Sequence, residues 1–180
     1  METIALFGGS FDPPHIGHIA VVKALKEFAF IDKIIIMPTF LNPFKTKSYA
    51  SAELRLKWLQ EIFRDDSRVI IDDYEVNQSQ KVPSIQSVEY LLKTYKKIYL
   101  VIGADSLSSL HSWHRFDELQ EKVHFIVAQR DAFKIPENYL ALNVKEDISS
   151  TQLRENIDIT KLPKICAQEI AQFYKDNNAK

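Results

Sequence analysis

The chain has 180 residues, of which 46% are apolar and 26% charged, and its formal net charge at pH 7 is −1. This length and apolar content predict a folded domain with its own core and exclude general disorder. The near-neutral charge provides no basic field for non-specific binding to nucleic acid or an acidic membrane surface, and no apolar run approaches the ~20 residues of a membrane span. The single cysteine, Cys166, excludes an intrachain disulfide and a cysteine-cluster metal site, so we expect a cytoplasmic protein.

Short apolar runs alternate with helical patterns along the chain. The runs that predict strands are residues 4–7, 34–37, 69–71, 98–102, 125–128 and 140–144. Helices are predicted over residues 18–28, 52–63, 84–95, 105–110 and 116–121, and from Pro163, which suits a first helical position, to about residue 174.

The predicted strands are apolar throughout, which is typical of parallel strands covered on both faces. The pattern therefore predicts an α/β fold, a doubly wound parallel sheet in three α/β/α layers. Residues 1–180 are expected to form one domain whose C-terminal part, from about residue 149, is helical. Ligands of such sheets bind at the carboxyl ends of the strands. Residues 42–51 and 77–83 carry no pattern and are candidates for loops that substrate orders.

The turn between the first predicted strand and the first predicted helix is rich in glycine and histidine. Three of the four glycines fall within residues 8–18, and His15 and His18 lie three residues apart where the helix begins. Glycine lets backbone N–H groups approach a ligand closely, and a helix N-terminus favours phosphate. The stretch is neither the dinucleotide fingerprint nor the P-loop, whose lysine position holds a histidine here. We predict a nucleotide phosphate site whose residues are Gly8, Gly9, Ser10, Phe11, His15 and His18.

The same stretch, G-S-F-D-P-P-H-I-G-H, resembles the G-x-F-D-P-x-H-x-G-H signature of the nucleotidyltransferase superfamily, whose members bring ATP or CTP against a second substrate. The resemblance implies their Rossmann-like fold. Residues 148–154, I-S-S-T-Q-L-R, resemble the second superfamily signature, which reaches the β- and γ-phosphates of ATP. On the residues alone, Ser149 and Ser150 could simply cap a helix. The resemblance implies that Ser149, Ser150, Thr151 and Arg154 bind ATP, and the guanidinium fork of Arg154 suits a polyphosphate.

Gly103-Ala104-Asp105-Ser106 directly follows the fourth predicted strand. On the residues alone, Asp105 could cap a helix and Trp113, eight positions later, could belong to the core. The resemblance implies that Gly103 and Asp105 bind ATP, with Asp105 on the ribose hydroxyls. The G-x-D…L-x-x-W spacing further resembles one branch of the superfamily, the bacterial nicotinate-nucleotide adenylyltransferases.

The resemblance to this branch covers almost the whole chain. Asn42-Pro43-Phe44-Lys45 is similar to its N-P-x-K loop, whose lysine approaches the nucleotide phosphates. The branch implies that nicotinate mononucleotide is bound by Ser84, Ser87, Trp113 and Lys45. Arg130 directly follows the fifth predicted strand and is a further candidate for this substrate through a phosphate contact, although it could equally be a surface arginine. The chain departs from the branch around this second-substrate pocket. Phe44 replaces a histidine, Pro83 a tyrosine, Ser84 and Ser87 two threonines, and His114 stands where a tyrosine is frequent.

The implied reaction is transfer of AMP from ATP to the 5′-phosphate of nicotinate mononucleotide, with release of pyrophosphate. The implied catalytic residues are His18, on the α-phosphate in the transition state, and His15, Lys45 and Arg154, on the polyphosphate. Mg²⁺ is expected with ATP, held mainly by phosphate oxygens and water, and no protein metal site is predicted. We expect a preference for nicotinate, since Trp113 offers a ring face and the helix starting at Ser84 offers N–H donors.

Three alternatives remain open from the sequence. One is another nucleotidyltransferase, of the pantetheine-phosphate or glycerol-phosphate type. Another is a metal-dependent hydrolase in which His15 and His18 act with His111 and His114, although no Asp or Glu recurs at fitting spacing. The third is a non-catalytic nucleotide-binding module. The sequence leaves the oligomeric state, monomer or homo-oligomer, undecided.

Overall fold

A computed structural model describes residues 2–129 and 134–178 of the chain. Its centre is a parallel sheet of six strands in the order β3-β2-β1-β4-β5-β6. The strands are β1 (Thr3–Gly9), β2 (Lys33–Pro38), β3 (Val69–Ile71), β4 (Lys97–Gly103), β5 (His124–Gln129) and β6 (Leu140–Asn143). The strand order reverses between β1 and β4, and the crevice at such a switch point is where open α/β sheets bind ligands.

Seven helices connect and cover the strands in the described ranges. They are α1 (Ile16–Lys26), α2 (Ala52–Ile62), α3 (Tyr74–Asn77), α4 (Ser84–Leu91), α5 (Phe116–Lys122), α6 (Ser150–Glu155) and α7 (Ala167–Asn178). Single 3₁₀ turns are formed by Ala104–Ser106, Leu110–Ser112 and Ile159–Lys161. No helix in these two stretches of chain is long and apolar enough to cross a membrane.

The side chains of each inner strand alternate between two cores, one on each face of the sheet. On β1, Ile4 and Leu6 pack in the core that α4 and α5 cover, whereas Ala5 packs in the core that α1 and α2 cover. Strands buried on both faces carry apolar residues at successive positions, as the sequence indicated. The predicted doubly wound, three-layer sheet is confirmed.

A third core joins the C-terminal part of the chain to α2. The side chain of Trp58 is fully buried there with Ile170 and Tyr174 of α7, and its ring meets that of Phe173 edge-on at 5.6 Å. This packing brings α6 and α7 beside the β1–α1 turn and fixes the position of residues 148–154.

Three predicted helical segments differ clearly from the structure, and one observed helix was not predicted. The predicted helix over 84–95 ends at Leu91, and the C-terminal helix begins at Ala167 rather than at Pro163. Residues 105–110 form parts of two 3₁₀ turns, and the four-residue helix α3 was not predicted. The Ser109 and Ser112 hydroxyls donate to backbone carbonyls three residues earlier, a local bond that competes with a regular helix.

Candidate active site

His15 and His18 cap the first turn of α1 reciprocally. Nδ1 of His15 accepts the Gly17 N–H at 3.1 Å, and Nδ1 of His18 accepts the His15 N–H at 3.1 Å. The two rings are stacked with their centroids 3.7 Å apart. Because each Nδ1 is an acceptor, the proton of each neutral ring is placed on Nε2. His18 is half-buried, whereas His15 is only 1% exposed.

The backbone of this turn does not need glycine for a positive φ, but Gly17 allows a close approach of the His15 ring. All four glycines of the chain are described, and none has a positive φ; the left-handed residue of the turn is Phe11, with φ 50°. A Cβ on Gly17 would lie 2.8 Å from two atoms of the His15 ring, so only glycine leaves room for that ring over the helix start. Phe11 is buried and meets the His18 ring edge-on at 4.7 Å. It therefore forms the wall that holds His18.

The second motif is attached to the same turn. Arg154 donates to the Asp12 carbonyl at 2.7 Å and to the Thr151 hydroxyl at 3.1 Å, and its guanidinium lies 4.6 Å from the Tyr49 ring centroid. Ser150 donates to the Pro13 carbonyl at 3.0 Å. Ser149 caps α6 by accepting the Gln152 N–H at 3.4 Å. The structure thus brings residues 149–154 against the residues that precede His15.

Lys45 lies on the exposed loop after β2 and approaches both motifs. Its Nζ is 3.4 Å from the Ser10 hydroxyl. Partial burial of the ammonium lowers the pKa of Lys45, and the positive charge of Arg154 lowers it further, against an opposing effect of Asp12. This mutual repulsion shows that the Lys45 and Arg154 cations converge on one region beside the histidine turn.

A buried anchor that the sequence analysis missed holds this corner together. Arg55 of α2 has no exposed surface and donates to four backbone carbonyls, those of Ser10 (2.6 Å), Thr39 (2.8 Å), Phe40 (3.0 Å) and Ala50 (3.1 Å). Burial lowers the pKa of Arg55, and Asp12 opposes that shift. The spacing of Arg55 relative to Ala52 and Leu59 places it on the buried face of the helix, and this signal was available in the sequence.

Asp12 is the second part of the anchor. Its carboxylate accepts the Tyr49 N–H at 2.7 Å, the Ala50 N–H at 3.0 Å and the hydroxyl of Tyr174 on α7. Burial and then the nearby Asp12 charge raise the pKa of Tyr174, so the phenol stays protonated and donates. Asp12 and Arg55 together fix the turn, the loop of Lys45 and the last helix relative to one another.

A cleft of about 510 Å³ opens at the carboxyl ends of β1 and β4, next to the turn. Gly8, Gly9 and Gly103 line it from the strands, Ser84 lines it from the start of α4, and Phe44 and Trp113 line it from loops. The Phe44 and Trp113 rings are 6.4 Å apart, centroid to centroid. Phe44, which replaces the histidine of the branch, thus faces the tryptophan across the cleft.

Three other predicted residues occupy different places. Ser87 is buried and its hydroxyl donates to Glu75 at 2.6 Å, so it reaches the cleft only through that carboxyl group. Asp105 is exposed, and its carboxylate folds back over Gly103. Arg130 lies outside the described residues.

Glu75 of α3 lines the cleft and was not singled out by any sequence pattern. It is 7% exposed, and burial raises its pKa to about 7, with the Ser87 hydroxyl opposing and Asp72 reinforcing the shift. Its Oε2 is one of three buried side-chain atoms without a hydrogen-bond partner that belong to cleft residues; the others are Oγ1 of Thr39 and Nε1 of Trp113. Unpaired buried polar atoms are rare, so this cluster indicates a polar ligand.

The doubly wound sheet, the capping histidines and the attached arginine define a nucleotidyltransferase. Residues 6–156 match the family described as cytidylyltransferase-like. The chain is 61% identical over 180 residues to the "probable nicotinate-nucleotide adenylyltransferase" of Sulfurimonas denitrificans, covering 100% of this chain and 99% of that protein. The protein of the same name from Nitratiruptor is 51% identical over 174 residues, with 96% and 98% covered. The chain belongs to the nicotinate-nucleotide adenylyltransferase family.

Solved structures agree with the fold. A Plasmodium falciparum nicotinic acid mononucleotide adenylyltransferase complexed with NaAD superposes with a TM-score of 0.77 at 22% identity, covering 99% of this chain and 97% of that one. The same enzyme complexed with APC gives 0.74 at 20% identity, covering 99% and 96%. The predicted family and enzyme class are confirmed by the relatives that share 61% and 51% of their residues with this chain. Within the described residues, no group of three or more His, Cys, Asp or Glu side chains could hold a metal ion.

Proposed function

We propose that this enzyme transfers AMP from ATP to the 5′-phosphate of nicotinate mononucleotide, forming nicotinate adenine dinucleotide and pyrophosphate. The observation that carries the proposal is the bond from Arg154 to the Asp12 carbonyl, which joins the two phosphate-binding motifs three residues before His15. The cleft at the strand ends supplies the space for the second substrate.

The chemistry requires positioning more than activation. The mononucleotide phosphate is already an anionic nucleophile: its oxygen forms a bond to the α-phosphorus of ATP while the bond to the bridging oxygen breaks and pyrophosphate leaves. Holding both reactants in line can contribute about 7–11 kcal/mol of the barrier. Charge that grows on the α-phosphate oxygens is stabilised by fixed donors, and we assign this role to Nε2–H of His18.

The burial of His15 changes the role that we assign to it. A ring that is 1% exposed and stacked on His18 is suited to orienting its neighbour rather than to presenting a solvated surface to the polyphosphate. We therefore propose that His15 is a positioning residue. It holds the helix start through Gly17 and supports the ring plane of His18.

Lys45 and Arg154 are the proposed partners of the leaving pyrophosphate. Burial and then the positive charge of Arg154 lower the pKa of Lys45. A bound polyphosphate would offset the repulsion from Arg154 and favour the charged form of Lys45. Ser10, Ser149, Ser150 and Thr151 then contribute hydroxyl or backbone donors around the same phosphates, with Gly8, Gly9 and Phe11 forming the turn.

Mg²⁺ enters this proposal as part of the substrate, bound to ATP. Mg²⁺ keeps several waters and usually needs only one or two protein carboxylates besides phosphate oxygens. The Asp12 carboxylate, which lies in the turn, already accepts three hydrogen bonds. We therefore assign the metal to phosphate oxygens and water rather than to a protein cage.

The cleft is the proposed site of the nicotinate ring. The indole of Trp113 offers a face to the cationic pyridinium. The substrate carboxylate is assigned to the first turn of α4, because Pro83 provides no side-chain cap there and Ser84 lines the cleft. Such an enzyme would serve NAD biosynthesis, and we propose a cytoplasmic location for it.

Pyrophosphate release tests the proposal directly. The purified protein is incubated with Mg·ATP and one of four acceptors: nicotinate mononucleotide, nicotinamide mononucleotide, 4′-phosphopantetheine or glycerol 3-phosphate. We expect the highest kcat/KM with nicotinate mononucleotide and a product with the mass of nicotinate adenine dinucleotide. Faster turnover of phosphopantetheine would contradict the assignment of the cleft, and no release with any acceptor would contradict the proposed activity.

A further inference from the structure

Three residues that line the same cleft, from three different segments of the chain, each have a buried polar side-chain atom without a hydrogen-bond partner. These atoms are Oγ1 of Thr39, Oε2 of Glu75 and Nε1 of Trp113. The indole nitrogen is only a donor, and the hydroxyl is a donor as well as an acceptor. A ligand that fills the cleft therefore has to provide hydrogen-bond acceptors. The carboxyl group of Glu75 accepts hydrogen bonds when it is ionised and can also donate one when it is protonated.

The side chain of Glu75 is held in one orientation. Its Oε1 accepts the Ser87 hydroxyl at 2.6 Å, and Ser87 itself is buried on the first turn of α4. Oε2 is buried and has no hydrogen-bond partner, so it is the carboxyl oxygen with which a ligand that enters the cleft would pair. The same helix carries Ser84 into the cleft lining. Glu75 thus lies beside the helix start to which the nicotinate carboxylate is assigned.

The surroundings of Glu75 disfavour a negative charge. Asp72, two residues before α3, is a like charge, and Ser87 of α4 provides one neutral hydrogen bond. Helix α3 packs against β2 and α2. The buried charge on α2 is Arg55, whose guanidinium donates to four backbone carbonyls. The other titratable residue in the described cleft lining is His114, which is exposed. Glu75 consequently has no cationic partner in this set.

We propose that Glu75 is a specificity-determining residue that binds the nicotinate carboxylate as a neutral acid, donating a hydrogen bond from Oε2. An ionised Glu75 would instead face the substrate carboxylate as a like charge, whereas it could accept a hydrogen bond from the NH₂ of a nicotinamide. The protonation state of this one group would therefore set which ring substituent the cleft prefers. The inference rests on the proposed function and adds the residue that selects between acid and amide.

The raised pKa of Glu75, about 7, places this selection within the working range of an enzyme. Below pH 7 the neutral acid favours nicotinate mononucleotide. As the pH rises through 7 the group ionises and the preference for the acid falls. The direction follows because binding of the acid requires a proton on Glu75, and binding of the amide does not.

The test is the ratio of kcat/KM for nicotinate mononucleotide to kcat/KM for nicotinamide mononucleotide, measured with Mg·ATP between pH 5.5 and 9. Titration of the histidines, of ATP and of the 5′-phosphate affects both acceptors alike and cancels in the ratio. We expect the ratio to fall at least tenfold between pH 6 and 8.5. In Glu75→Gln the ratio should be independent of pH, since the amide stays neutral and still donates.

Two further variants sharpen the measurement. Glu121→Gln makes the same chemical change at an exposed position of α5 and should leave the wild-type profile unchanged. Ser87→Ala removes the donor that stabilises the ionised form, so the midpoint of the fall should move to higher pH. A wild-type ratio that is flat or rises with pH would overturn the inference, a rise indicating that ionised Glu75 pairs with the pyridinium. Absence of turnover with both mononucleotides would instead contradict the proposed function.

Discussion

The ring of His15 supports the ring of His18 at a centroid distance of 3.7 Å, and both rings cap the first turn of α1. The pair is thus a unit in which the buried member orients the half-buried one. Rotation of His18 would break both the stack and the hydrogen bond from the His15 N–H. A donor fixed in this way needs little reorganisation when charge develops on a bound phosphate.

His18→Ala should lower kcat by roughly 100- to 1000-fold, the scale for loss of one transition-state donor, with little change in the KM for ATP. Steady-state kinetics at saturating mononucleotide measure this split. His111→Ala, an exposed histidine outside the cleft lining, is the matched control and should behave as wild type. A loss expressed entirely in KM would show that His18 binds ground-state ATP instead.

Lys45→Ala and Arg154→Ala should both weaken the use of ATP, but only the second should affect stability. Lys45 is exposed with a single contact at 3.4 Å, so its removal should leave the melting temperature unchanged. Arg154 makes two hydrogen bonds and a cation–π contact, each worth about 0.5–1.5 kcal/mol, so its loss should lower the melting temperature by a few degrees. Lys47→Ala, which removes another lysine from the same exposed loop, is the control and should leave the use of ATP unchanged. If either variant has the same kcat and KM for ATP as wild type, the assignment of that residue to the phosphates is wrong.

Trp113→Ala should damage turnover of the mononucleotide far more than binding of ATP. The indole lines the cleft opposite Phe44 and is assigned to the pyridinium face, a contact worth about 0.5–2 kcal/mol. Titration of the mononucleotide and of ATP by calorimetry separates the two effects. An unchanged mononucleotide affinity in Trp113→Ala would assign the indole to the core alone.

At pH 6, wild type should prefer nicotinate over nicotinamide mononucleotide by tenfold or more, since 1.4 kcal/mol corresponds to about tenfold.

Glu75→Gln should be more stable than wild type at pH 8 and similar to it at pH 5. The folded protein raises the pKa of Glu75 from 4.5 to about 7, so between these values the native state holds a proton that the unfolded state has released. The free energy of unfolding therefore falls as the pH rises from 4.5 to 7, by an amount on the order of 3 kcal/mol. Urea unfolding of both proteins at pH 5, 6.5 and 8 tests this sign. A difference between the proteins that does not vary with pH would show that burial of Glu75 carries no such cost.

The sheet could be predicted from the sequence because its signal is local. Each strand is a run of apolar residues bounded by a turn, and the predicted bounds differ from the observed ones mainly at strand ends, where β1 extends to Thr3 and Gly9. The histidine turn and residues 148–154 could be found because their residue types follow a motif. Their contact through Arg154 and Asp12 depends on the tertiary fold, which no local pattern contains.

Other features depend on tertiary contacts that the sequence does not display. Glu75 is one acidic residue in a four-residue helix, too short for a periodic pattern, and only the packing of α3 shows that it is buried in the cleft. The buried state of His15 likewise arises from its stack with His18 and the absence of a side chain at Gly17. Arg55 is the exception, because its helical spacing marks the buried face although its charge suggests the surface.

Because of the contact between Asp12 and Tyr174, the turn that carries His15 and His18 is completed only after Tyr174 has been synthesised. The two residues are 162 positions apart, which corresponds to roughly 8–32 s of translation at about 5–20 residues per second. During that interval β1 to β5 can emerge and pair, but the turn that carries His15 and His18 lacks the Tyr174 hydroxyl, and until residue 154 emerges it lacks the guanidinium as well. The proposed nucleotide-binding corner is therefore completed only when the last helix is free to pack, so ATP binding should appear at the end of synthesis.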